Sequence, residues 1–232
     1  MSGDYAGPRD PAQARRLAAF FNSVYAWMAA GLGVTAVVAK LVSTRLDLVQ
    51  AMRPLFIIIL IAQLALVWGL SRAALKMQPA VASVLFMIYA AINGLLLSAI
   101  FLVYPLATLG AALAITGGTF AATSLWGYFT KADLSRLGSV LFMALIGLVI
   151  ASIVNFFLHS SGLNWLISYA GVLIFVGLTA YDTQRLREMA ISLDADGAML
   201  ARVSILGALT LYLDFLNLFI FILQIMGNQR QR

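Results

Sequence analysis

Residues 209–225 read LTLYLDFLNLFIFILQI. A run this apolar matches a bilayer-spanning helix, which needs about 20 such residues. One acid, Asp214, sits near its middle. A carboxylate at the bilayer centre costs roughly 3 kcal/mol on insertion scales, so such a residue faces a bundle interior or water and by default marks a proton or ion site. Its neighbours say which face is involved. Thr210, Asp214, Asn217, Phe221 and Gln224 are spaced by 4, 3, 4 and 3 residues, which places them on one helical stripe. Leu211, Leu213, Phe215, Leu216, Leu218, Phe219, Ile220 and Ile222 fill the rest of the surface. A single polar stripe on such a helix is expected to point into the protein.

The whole chain shares this character. Of 232 residues, 62% are apolar and only 10% are charged, with a mean hydropathy of +0.96. A soluble domain of this size is about one quarter charged, so a water-soluble globule is excluded. Disorder needs the opposite bias. The apolar runs are unbroken, unlike the alternating strands of an outer-membrane barrel. The expected fold class is an all-α integral membrane protein. There is no cysteine and one histidine, His159, which excludes disulfides, thiol chemistry and multi-histidine metal sites within one chain. The net charge of +6 is spread between apolar runs without a basic, aromatic-interleaved patch, so nucleic acid is not an expected partner. Neither a nucleotide-binding glycine motif nor a Ser-His-Asp set is present, and no enzyme activity is expected. Intramembrane aspartyl proteases need motifs such as Gly-x-Gly-Asp, which neither Ala180-Tyr181-Asp182 nor Leu211-Tyr212-Leu213-Asp214 supplies.

Seven spans are expected, at about residues 20–42, 54–70, 79–103, 106–129, 137–158, 163–185 and 203–226. Arg53-Pro54, Gln78-Pro79, Tyr104-Pro105, the charged 131–136 stretch and the turn 159–162 mark breaks between them. The layout is a polar amino-terminal arm 1–16, a transmembrane domain 17–227 and a short tail 228–232. With the amino terminus inside, ten basic residues fall on inner segments and five on outer ones, so the amino terminus is expected in the cytoplasm. The fourth span is rich in small residues, GAALAITGGTFAATS at 110–124, and is expected to wedge between neighbours. Gln63, Asn93 and Ser98, with Ser152, Asn155 and His159, read as interhelical hydrogen-bonding groups. Trp27, Trp68, Trp126 and Trp165 read as interfacial anchors.

A second acid, Asp182, lies in GLTAYDTQRL at 177–186, with Thr179 and Thr183 on its face and Arg185 a turn later. A satisfied buried residue, paired with Arg185 or capping a helix, is an equal reading of Asp182. The other seven acids fall in tails or loops and read as solvated surface. Because the last two spans run in opposite directions, Asp182 and Asp214 can face each other. Two carboxylates about 4 Å apart repel by roughly 4 kcal/mol at an effective dielectric of 20. Such a pair holds one proton between them near neutral pH and suits a pH sensor. Fully ionised, it attracts a divalent cation. Calcium takes six to eight oxygens and two carboxylates supply at most four. Thr179, Asn217, backbone carbonyls or water would complete the shell, which favours transient passage over storage. Thr210 is a further supporting polar group on the same stripe, and no tightly bound cofactor is expected.

The chain resembles the Bax inhibitor-1 family, also called the transmembrane Bax inhibitor motif family, in its bacterial branch. The resemblance covers about residues 15–227. It is carried by RLAAFFNSVYAWMAAGLGVTAVVA at 16–39, AINGLLLSAIFLVY at 91–104 and, most specifically, by GLTAYDTQRL and LTLYLDFLNLFIFILQI in tandem. It implies six helices around a central seventh and a pH-sensitive calcium leak or exchange, with Asp182 and Asp214 at the sensor positions. It implies a latch arginine from the second helix, for which Arg72 is the candidate with Lys76 behind it. Many relatives carry a second-helix glutamate near the mouth of the path, where this chain has Gln63. The short tail points to a bacterial inner membrane. Some bacterial relatives look like modulators of a membrane-anchored AAA protease, an alternative role in which the polar arm 1–16 would be gripped.

Overall fold

The computed structural model describes residues 10–193 and 197–229, and all regular structure among them is helical. Helix α1 spans Pro11–Ser43, α2 Leu46–Met52, α3 Phe56–Ala73, α4 Pro79–Leu97 and α5 Ile100–Val103. They are followed by α6 Leu106–Phe129, α7 Ser135–Leu158, α8 Ser161–Ser192 and α9 Gly197–Gln229. Among the described residues, six helices are long and apolar enough to cross a membrane: α1, α4 with α5, α6, α7, α8 and α9. The chain is therefore a multi-pass helical membrane protein. The second expected span is the exception. Its apolar stretch, Ile57–Ala73, extends roughly 26 Å at 1.5 Å per residue, short of a hydrocarbon core of about 30 Å.

Helix α1 begins earlier than hydropathy indicates. Asp10 is extended and accepts a hydrogen bond from the Gln13 amide at 2.8 Å, with Pro11 at the first helical position. Residues 11–16 of the expected polar arm are thus helical. Residues 1–9 of that arm, the acids Asp194 and Asp196, and residues 230–232 of the tail lie outside the described residues. At the α7–α8 turn His159 takes a left-handed conformation (φ 51°) and its amide donates to the Asn155 carbonyl at 2.8 Å. The Asn155 side chain accepts from the Ser160 amide at 3.1 Å, so Asn155 serves the turn rather than a neighbouring helix. Ser98 and Ser152 likewise bond to carbonyls of their own helices, Leu95 and Leu148.

The described residues form two compact units: a first with 10–105, 189–193 and 197–212, and a second with 106–188 and 213–229. In the first unit α1 packs on α4 through two glycines. A Cβ at Gly31 would fall 2.6 Å from the Phe86 ring, and one at Gly94 would fall 2.7 Å from the Thr35 carbonyl oxygen. The buried Thr35 hydroxyl donates to the Ala90 carbonyl at 2.9 Å and meets the Tyr212 hydroxyl at 2.7 Å. Tyr212 is fully buried, edge-on to Phe86 and Tyr89. Gln63 on α3 donates to the Asn93 side-chain oxygen on α4 at 2.5 Å, the interhelical bond expected of those two residues. Gln63 Oε1 is buried without a partner.

In the second unit, α6 buries one row: Thr108, Leu109, Ala112, Thr116, Phe120, Ser124 and Gly127. This corrects the expectation of a wedged helix. Gly110, Gly117 and Gly118 meet nothing within 4 Å, so half of the small residues lie on the outward side. Among the six spans α9 is the most enclosed, with 61% of its most apolar stretch buried, against 11% for α7.

Candidate functional site: a buried aspartate pair

Asp182 and Asp214 lie in the second unit, on the antiparallel helices α8 and α9. The expected stripe on α9 meets α8 at three levels. At one end, Gln224 accepts from the Ser168 hydroxyl at 3.0 Å. In the middle, the Phe221 ring stacks on Phe175 at 5.9 Å and lies flat against Gly171, where a Cβ would come within 2.6 Å of it. At the other end, the Asp214 and Asp182 carboxyls come within hydrogen-bonding reach of each other. The facing of the two acids expected from the sequence is therefore present. Asp214 is only 4% exposed and its Oδ2 has no partner, while Asp182 is half-buried. A hydrogen bond between two carboxyls requires a proton on one of them. The positive charge that acts on Asp182 is Arg185, three residues on in its own helix.

The α8 turn that carries Asp182 is held from its other side. Gly127 of α6 sits against the backbone of Ala180: a Cβ there would be 2.8 Å from the Ala180 Cα and carbonyl carbon. One turn along, the Ser124 and Thr183 hydroxyls meet at 2.9 Å. Gln184 then clamps the loop between α6 and α7. Its Oε1 accepts from the Leu134 amide at 2.9 Å and its amide nitrogen donates to the Ala132 carbonyl at 2.8 Å. Gly138 of α7 makes room for the Tyr181 ring. Residues 180, 183 and 184 thus serve α6 and its loop, leaving Asp182 to serve α9. Sequence reading missed Ser124, Gly127 and Gln184. Their only sequence signal is closeness to the acid or a place among the small residues of α6.

The other expected site residues are placed differently. Thr179 is fully buried and its hydroxyl donates to the Phe175 carbonyl at 2.7 Å, while Thr183 donates to the Thr179 carbonyl at 2.7 Å. Thr210 donates to Leu206 O at 3.1 Å and the Asn217 amide to Leu213 O at 2.8 Å. Each of these polar groups bonds to its own helix one turn back, and only Asn217 keeps a side-chain carbonyl oxygen uncommitted. Arg72 is exposed and its guanidinium lies 4.4 Å over the Trp68 ring. No group of three or more His, Cys, Asp or Glu side chains is gathered among the described residues. The pair alone offers at most four carboxylate oxygens. It can hold a proton, and it can hold a divalent cation only with oxygens from other sources.

The family model described as inhibitor of apoptosis-promoting Bax1 matches residues 17–231. The inner membrane protein YbhL of Escherichia coli K12 is 50% identical over 218 residues, covering 92% of this chain and 93% of its own. Uncharacterised proteins of Deinococcus radiodurans and Borreliella burgdorferi are 46% and 40% identical. They cover 91% of this chain, and 90% and 92% of their own lengths. With the match running across the spans and through both acid-bearing helices, the chain belongs to the Bax inhibitor-1 family.

Proposed function

We propose that this protein is a pH-sensitive calcium leak channel or exchanger of the bacterial inner membrane, gated by the Asp182–Asp214 pair. The observation that carries the reading is the close approach of two carboxyls inside apolar helices, with Asp214 Oδ2 buried and left unpartnered. A structural ion pair would set a base beside Asp214; here its partner is another acid. Family membership supports calcium as the permeant ion, and the name of the E. coli relative supports the inner membrane. The enclosure of α9 supports its place as a central seventh helix, with α3 counted as a short span. The inner placement of Lys and Arg supports a cytoplasmic amino terminus. Arg72, released from Trp68, is the candidate latch.

The mechanism follows from the proton count. With one proton, the pair is neutralised to a single charge and α8 and α9 stay joined at this level. Removal of that proton leaves two negative charges that repel by roughly 4 kcal/mol at about 4 Å. The ionised pair separates or draws in a divalent cation, with Asn217 Oδ1, backbone carbonyls and water filling the rest of the shell. Protons and calcium then compete for the same oxygens. Raising calcium is expected to shift the midpoint of the pH response to lower pH.

The test is calcium flux from proteoliposomes across pH. Wild type is expected to show a sigmoidal pH response. Asp182→Asn and Asp214→Asn are each expected to abolish the pH dependence. Unaltered flux and pH response in both variants would sink the mechanism.

A further inference from the structure

The stripe of α9 is polar at every position but one. Asp214, Asn217 and Gln224 are polar; Phe221 is not. The interruption is built from both helices. Phe221 stacks on Phe175 at 5.9 Å, and its ring occupies the space that Gly171 leaves by having no side chain. A glycine inside a helix costs about 1 kcal/mol relative to alanine, so the seat for this ring is made at the expense of α8. Beyond the ring the seam turns polar again, at the Ser168–Gln224 hydrogen bond of 3.0 Å. Phe221 stands roughly 10 Å along α9 from Asp214 and about 5 Å short of Gln224. Two polar stations are thus separated by one aromatic pair. Hydrophobic constrictions of this kind close a path by excluding water.

We propose that Phe221, seated on Gly171 and backed by Phe175, is the barrier that seals the aspartate pair from the Gln224 side of the membrane. The proposal rests on the reading of the pair as part of a permeation path. It assigns the resting impermeability to an aromatic side chain distinct from the groups that take up the proton. Movement of α9 relative to α8 by a fraction of a helical turn lifts the ring off its glycine and joins the two polar stations.

The absence of cysteine provides a test independent of calcium. Asn217→Cys places a single thiol between Asp214 and Phe221. In proteoliposomes held at the pH of lowest wild-type flux, a charged, membrane-impermeant thiol reagent is expected to leave this thiol unmodified. Adding Phe221→Ala is expected to speed its modification from the Gln224 side about ten-fold or more, the factor that corresponds to about 1.4 kcal/mol of barrier. Gly171→Ala, which pushes a Cβ into the ring, is expected to do the same. Combined with Phe221→Ala it is expected to add nothing, because the group it displaces is gone. Gly171→Ala carries the test if Phe221→Ala is not recovered folded. Resting calcium flux is expected to rise in parallel. Thiol modification that stays slow in Phe221→Ala and Gly171→Ala overturns the barrier whatever the flux does. Modification that becomes fast, in a protein whose flux ignores Asp182→Asn and Asp214→Asn, retains the barrier and removes the calcium mechanism.

Discussion

Substitution of Gly127 by alanine is the sharpest probe of what holds Asp182 in place. The added Cβ would lie 2.8 Å from the Ala180 Cα and carbonyl carbon and nearer still to the carbonyl oxygen. Carbon atoms rest about 3.5–4.0 Å apart, so α6 and α8 must part by about 1 Å. The obstacle is backbone, which has no rotamer to change. Overpacking of this kind costs about 1–3 kcal/mol, and the upper half of that range applies because nothing local can yield. At about 2–4 °C per kcal/mol for a chain of this size, the melting temperature should fall by roughly 5–10 °C. Gly118→Ala adds the same atom to the same helix where nothing stands within 4 Å. It should leave the melting temperature unchanged or raise it by up to about 3 °C, through the higher helix propensity of alanine. The assay is thermal unfolding in detergent, followed by the monodisperse fraction on size exclusion. Because the two variants differ only in what the methyl group meets, detergent and propensity effects cancel in the comparison. Equal melting temperatures for Gly127→Ala and Gly118→Ala would refute the close α6–α8 contact, and with it the account of how Asp182 is positioned.

Two further outcomes are expected. Gln184→Ala leaves the Leu134 amide and the Ala132 carbonyl without their partners; at about 1–3 kcal/mol for an unsatisfied buried group it should lower the melting temperature by several degrees, and Gln184→Glu, which keeps the acceptor for Leu134 but turns a second oxygen on the Ala132 carbonyl, should not restore it. Tyr212→Phe removes the hydroxyl that meets Thr35 at 2.7 Å but keeps the ring against Phe86 and Tyr89; interhelical bonds in membranes are worth about 0.6 kcal/mol, so its melting temperature should fall by no more than about 3 °C, and a larger fall would show that the hydroxyl organises α1 and α9 beyond its own bond.

The aspartate pair was legible because two local signals agree. The stripe through Asp214 specifies one face of α9, and consecutive spans of opposite direction bring Asp182 back alongside it. The same stripe contained Phe221, whose aromatic character reads as ordinary packing until Gly171 is found beneath it. The surroundings of Asp182 were less legible. Thr183 shares its neighbourhood in sequence but turns about 100° away, to Ser124. Gln184 is polar among apolar residues and gives no hint that its partners are the backbone of Ala132 and Leu134, because the path of a loop has no periodicity to read. The small residues of α6 showed that close approach was possible but not on which side, and only Gly127 among its glycines is in close contact. The start of α1 was written in the Asp10-Pro11 cap, yet hydropathy is blind to a helix whose first turns carry Arg15 and Arg16. The short apolar length of α3 follows from Pro54, which sits in the 3-10 turn Arg53–Leu55 and delays the helix to Phe56.

Helices α8 and α9 are consecutive, and their seam is antiparallel from Ser168–Gln224 to Asp182–Asp214. The two costliest residues of the chain therefore belong to a single helical hairpin. A hairpin that entered the bilayer as one unit would bring its acids to the hydrocarbon together. With one proton shared between them, the bilayer would have to admit a single charge instead of two. The contact proposed to answer to pH would thereby also lower the cost of placing these two helices in a membrane.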